Sequence, residues 1–196
     1  MKVVSEIPCF SCREPCHCCT EQSPDQNLIM ITLHDAERIC KATGKKISDF
    51  AEFRKVKEPK CDELDEDEQY YMIDKSALFM KKKNNRCVFL GDDYKCTIHK
   101  HRPGLCRMYP FWYEEEDGDF KIVRMNDPDD DDCPAMKGEK RLCPGVFAKM
   151  VETKESLIEL AKRYDKELDD YNDYKALLRR FSPDELLARL KKGGLF

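Results

Sequence analysis

Basic charge is not in excess in this chain: 39 acidic residues outnumber 35 lysines and arginines, and the net charge is −4. No general basic face argues for nucleic acid, so none is expected as a partner. The runs "MKKKNNR" (80–86) and "KHR" (100–102) lack an interleaved aromatic platform and read as solvated loop charge. Long apolar runs are missing as well. No stretch approaches the ~20 apolar residues that cross a bilayer, so no membrane insertion is expected. "MKVVSEIPCF" holds no apolar run of signal-peptide length, which leads to the expectation of a cytoplasmic protein. There is no phosphate loop, no dinucleotide fingerprint and no hydrolase triad. No internal repeat is visible, and histidine is scarce, with 4 residues in 196.

Cysteine is what the chain has in abundance, with 12 residues. In a reducing compartment that number disfavours a disulfide scaffold and favours metal or redox use. Cys9, Cys12, Cys16, Cys18 and Cys19 form a first group, Cys87, Cys96 and Cys106 a second, Cys133 and Cys143 a third. Most lie in loops beside Pro or Gly, where a chain can turn around an ion and aim amides at sulfur. Neighbouring side chains of an extended chain point to opposite sides, so Cys18 and Cys19 more easily face two ions, or one ion and the core, than share one. Cys40 and Cys61 stand apart, and Cys40, on a helix face with Leu33 and Ala36, reads as a structural thiol. Arg13, Arg86, Arg102 and Arg107 lie close to grouped cysteines. They either offset thiolate charge or are ordinary surface residues. His17, His99 and His101 read as solvent-facing residues rather than ligands.

The expected fold is α+β. "NLIMITL" (27–33) starts extended. "TLHDAERICKATG" follows as a helix with Thr32 as cap, Asp35 completing a capping box and Gly44 closing it. "SDFAEFRKV" reads as a second short helix capped by Ser48. "YYMID" and "ALFMK" read as strands followed by "CVFL". Pro103 opens a short helix running toward Tyr109. Asp117-Gly118 turns a β-hairpin through "FWYEEEDGDFKIVRM". Helical spacing begins near Val146 and continues through Phe147, Met150, Val151, Leu157 and Tyr164, with a bend or break expected in "DDYNDY" (169–174). "SPDELLARLKKGG" is a last helix with Ser182 as cap and Pro183 in its first turn. A domain at 1–145 with a small irregular core organised by cysteine-bound metal, and a helical segment at 146–196 packing on it, is the expected organisation. Tyr171, Tyr174, Leu178 and Phe181 form an apolar end that either docks on a protein partner or a second copy of the chain, or folds back and is buried internally.

The blocks "FSCREPCHCC", "TLHDA", "CVFL…KCTIHKHRPGLCRMYPF" and the "CPG" at 143–145 together resemble the CxxCxxCC cysteine-cluster family (YkgJ-like), described as candidate zinc- or iron-chelating proteins, whose relatives include flagellin lysine methylases. The middle block is the most specific part of the match. In the first block Pro15 takes the place of the family's second cysteine and Cys16 falls one position late. The resemblance implies eight metal ligands: Cys12, Cys16, Cys18, Cys19, Cys87, Cys96, Cys106 and Cys143, with Cys9 and Cys133 as a second tier. A crowded, thiol-only set favours an iron–sulfur cluster of the 4Fe–4S type, with zinc as the alternative. The corresponding functions are electron transfer or maturation of a larger metalloenzyme, a zinc-stabilised protein-interaction module, or a methyltransferase-related enzyme. Shared cysteines alone do not establish an activity.

Overall fold

A computed structural model describes residues 29–56, 70–93, 95–109, 111–124 and 154–194. It is an α+β fold of helices and short antiparallel strand pairs. Helix α1 (Leu33–Thr43) begins where Thr32 accepts from the Asp35 amide and the Asp35 carboxylate accepts from the Thr32 amide. It ends at Gly44, whose φ of 70° lets the chain turn left-handed. One turn of helix, α2 (Ile47–Phe50), leads directly into strand β1 (Ala51–Lys55). The second helix expected through "SDFAEFRKV" is therefore confined to its first turn, and Ser48 is not its cap. Lys46 holds the cap position, and the remote Asp184 carboxylate accepts from the amides of Ile47 at 2.7 Å and Ser48 at 3.1 Å. From Ala51 onward pairing with β2 (Ser76–Met80) overrides local helix propensity.

Every residue of β2 is buried. Its period of two divides the molecule: Ala77 and Phe79 enter one core cluster, Leu78 and Met80 another. The extended stretch before α1 follows the same alternation, with Met30 in the first cluster and Ile29 and Ile31 in the second. It is tied to β2 by the Ile31 amide on Leu78 and the Met80 amide on Ile29. "YYMID" forms a turn with a single bridge at Ile73, not a strand. Strands β3 (Lys82–Lys83) and β4 (Arg86–Cys87) make a minimal hairpin around Asn84 and Asn85, both at positive φ. The one-turn helix α3 spans Gly104–Met108, with Pro103 in the cap position. Strands β5 (Phe111–Glu116) and β6 (Asp119–Arg124) form the hairpin expected around Asp117-Gly118, both left-handed.

Helix α4 (Lys154–Tyr174) spans both clusters. Leu157, Leu160, Ala161, Tyr164 and Leu168 enter the first, Tyr171 and Tyr174 the second. The break expected at 169–174 does not occur. Asp, Asn and Tyr each cost at most ~0.7 kcal/mol of helix propensity, whereas burying a large apolar side chain is worth ~1.5–3 kcal/mol. The helix tightens into a 3₁₀ turn only at Lys175–Arg179. Helix α5 (Pro183–Lys192) has the expected Ser182–Glu185 capping box and Pro183 in its first turn. It returns Leu186, Leu187 and Leu190 to the second cluster. The apolar end considered for docking is used inside the chain: Tyr171, Tyr174 and Leu178 are buried and Phe181 packs against them. The boundary expected near residue 145, and the stripe residues Phe147, Met150 and Val151, lie outside the described residues. No helix is long and apolar enough to cross a membrane, among the described residues.

Candidate metal centre

Cys87, Cys96 and Cys106 all meet the second cluster. Cys87 is a buried member of it, and the half-buried Cys96 and Cys106 pack against it. Each is delivered by a different local device. The Asn84–Asn85 hairpin carries Cys87 on β4, paired with Lys82. The Cys87 carbonyl then accepts from the Leu90 amide at 2.9 Å, closing a tight turn. Gly91 and Lys95 close the next turn, and a bridge from Leu90 to Cys96 returns the chain to the start. The Cys96 carbonyl accepts from the His99 amide at 3.2 Å, so this thiol also opens a turn. Cys106 stands on α3. A turn beginning at cysteine exposes several amides around the sulfur, the local geometry that thiolate–metal sites use.

Two of the arginines near these cysteines stitch the backbone together. Arg86 donates to the Gly91 carbonyl at 2.9 Å. Arg102 donates from Nε to the His99 carbonyl at 3.1 Å and from a terminal nitrogen to the Cys106 carbonyl at 3.3 Å. It thereby ties the Cys96 turn to the Cys106 helix. His101 is exposed, as expected, whereas His99 is half-buried.

Behind α3 lies a buried polar cluster that the sequence identified only as a helix cap. Asp35 is fully buried. Besides the Thr32 amide, its carboxylate accepts from the Gly104 amide at 2.9 Å, from the Tyr164 hydroxyl at 3.3 Å and from Arg38. Arg38 bonds Glu167 of α4 at 2.6 Å through its other terminal nitrogen. Burial works against the Arg38 charge, but Asp35 and Glu167 outweigh it and hold the guanidinium pKa above its usual value. The Tyr71 and Tyr164 hydroxyls lie 2.5 Å apart. Burial, reinforced by the charge of Asp35, pushes both far above the ordinary phenol range, so both remain protonated. Tyr164 donates to Asp35, and Tyr71 therefore donates to Tyr164. The Gly104 amide, at the start of α3, bonds Asp35, so this cluster neighbours the cysteine helix.

Cys40 sits on α1 at the margin of the second cluster. Burial, then Asp184, pushes its thiol pKa up, which keeps it protonated. Cys9, Cys12, Cys16, Cys18, Cys19, Cys133 and Cys143 lie outside the described residues. Among the described residues, no group of three or more Cys, His, Asp and Glu side chains forms a metal-holding cluster. The donor set nevertheless suits a soft metal: four thiols, Cys40 included, border one apolar core, and of these Cys87 and Cys96 open tight turns.

Residues 8–124, more than half of the chain, match the CxxCxxCC family model, described as "Putative zinc- or iron-chelating domain". The chain belongs to this family. Its match takes in the first and second cysteine groups, the Thr32–Asp35 box and the whole β5–β6 hairpin. No curated protein and no solved structure matches the chain. Zinc or iron chelation is thus the family-level expectation for these thiols.

Proposed function

We propose that this protein holds an iron–sulfur cluster through its cysteines and serves in electron transfer or in the maturation of a larger metalloenzyme. The observation that carries this reading is the convergence of Cys87, Cys96 and Cys106 on one apolar cluster with two turns opened by cysteine. Thiolates from 9–19 and from 143 complete the proposed ligand set. An iron–sulfur cluster supplies one-electron redox chemistry in such a site. The extent of the apolar core supports a functional metal over a purely structural one. Small domains rely on zinc when they cannot build a core, and this chain buries two large clusters. The corresponding partners are redox or client proteins, in a reducing cytoplasm.

The test is iron, zinc and acid-labile sulfide analysis of anaerobically purified protein, alongside Cys96→Ser and Cys106→Ser. Iron with equimolar sulfide and a visible charge-transfer spectrum is expected, with both variants losing metal and thermal stability, because metal affinity contributes to folding. Zinc without sulfide would replace this reading by the zinc-stabilised interaction module. Full metal occupancy and unchanged melting in both variants would remove these thiols from the site.

A further inference from the structure

The Thr32–Asp35 box and the "RPGLC" segment are separated by 69 positions between Asp35 and Gly104, yet they meet in one hydrogen bond. A cap needs only the Thr32 and Asp35 amides. Asp35 does more: it is fully buried and accepts from the first residue of the helix that carries Cys106. The cap residue of that helix, Pro103, offers no side-chain hydrogen bond. With a single turn, its start decides where all its side chains stand. The Tyr164 ring closes the space where a side chain at Gly104 would stand, and Tyr164 also donates to Asp35. The Gly104 backbone is therefore in contact with both a carboxylate and an aromatic ring, and both belong to the same hydrogen-bonded cluster.

We propose that Asp35 is a positioning residue for the metal centre, setting the place of Cys106 by fixing the Gly104 amide. This rests on the reading of Cys106 as a ligand. Asp35 itself touches no metal. A carboxylate is suited to this task because it accepts several bonds at once, from an amide, a guanidinium and a hydroxyl. Residues that orient a ligand rather than bind the ion commonly alter metal affinity by 10–100-fold when replaced.

The experiment compares anaerobically purified wild type, Asp35→Asn, Glu167→Ala and Cys106→Ser, each carrying its own metal and challenged with increasing chelator. Glu167→Ala breaks the same buried ion-pair cluster on its far side from Gly104, and so reports what destabilisation alone does. Asp35→Asn is expected to give up half its metal at a chelator concentration at least tenfold lower than wild type, with an altered visible spectrum. Glu167→Ala, destabilised to a melting temperature comparable to that of Asp35→Asn, is expected to hold its metal within about twofold of wild type, since it leaves the Gly104 contact intact. Wild-type behaviour of Asp35→Asn, or equal loss in Glu167→Ala, overturns the proposal. If Cys106→Ser retains metal as wild type does, the ligand reading itself fails, and this proposal with it. Should Asp35→Asn not fold, amide exchange of the wild type decides. Coupling is reciprocal, so metal loading must slow exchange at Gly104 and Thr32, both bonded to Asp35. Unchanged exchange at both amides on loading overturns the proposal.

Discussion

At Gly104 there is room for a hydrogen and nothing larger. A methyl group there would sit 2.2 Å from the Tyr164 ring. Tyr164 is fully buried and hydrogen-bonded on two sides, so it has nowhere to retreat. Gly104→Ala should cost about 2–3 kcal/mol in urea unfolding, at the upper end of ordinary overpacking. Tyr171 presents the opposite case. Its ring is fully buried, but its hydroxyl has no hydrogen-bond partner among the described residues. Removing an unsatisfied buried hydroxyl recovers its desolvation cost, so Tyr171→Phe should leave stability unchanged or raise it by about 1 kcal/mol. A loss above about 1 kcal/mol would mean that the hydroxyl has a partner, by the same reasoning. Neither effect was legible in the sequence. Gly104 looked like a residue following Pro103, and Tyr171 looked like part of a helix-weakening acidic run. Both depend on which side chain from a distant segment lies opposite.

The elements divide according to where their determinants lie. The starts of α1 and α5, the Asp117-Gly118 hairpin and the short helix after Pro103 could be read directly, because a cap or a tight turn is a contract between residues three or four apart. The strand β1 could not, since its identity comes from β2, some twenty positions later. The cap on α2 comes from Asp184, more than a hundred positions away. That cap has a pH signature. Burial tends to raise the Asp184 pKa, but hydrogen bonds from Ser48 and Ile47 prevail and hold it below the ordinary aspartate value. A carboxylate depressed in the folded state stabilises above its unfolded pKa, and the stabilisation is lost as pH falls through the folded value. The stability difference between wild type and Asp184→Asn should therefore be constant near neutrality and shrink below about pH 4. A difference that grew on acidification would show that the carboxylate is not what closes α2.

Among the described residues, β2 and α4 each contribute buried side chains to both clusters. Here the sequence pointed to the cysteine blocks and to C-terminal helices packing on them, but not to the side chains that make that contact. The family resemblance picked out "CVFL…KCTIHKHRPGLCRMYPF" from its spacing, and the structure assembles that block on a surface built by α1, α4 and α5. The C-terminal helices are consequently part of the site's foundation. A chain ending after Asp170 loses Tyr171, Tyr174, Leu178, Leu186, Leu187 and Leu190 from the cluster that Cys87, Cys96 and Cys106 border. It should melt non-cooperatively and lose its metal. A shortened chain that stayed folded and metal-loaded, while losing a partner or dimer, would restore the docking role for this end.

The second cluster also fixes an order of events during synthesis. Cys96 leaves the ribosome some ninety residues before Leu190, and at about 5–20 residues per second that interval lasts on the order of 5–20 s. Throughout it the thiol-bearing turns lack the helices that wall them in. Nascent chains arrested before Leu186 lack Leu186, Leu187 and Leu190 of that cluster and are expected to retain no metal through a gel-filtration step.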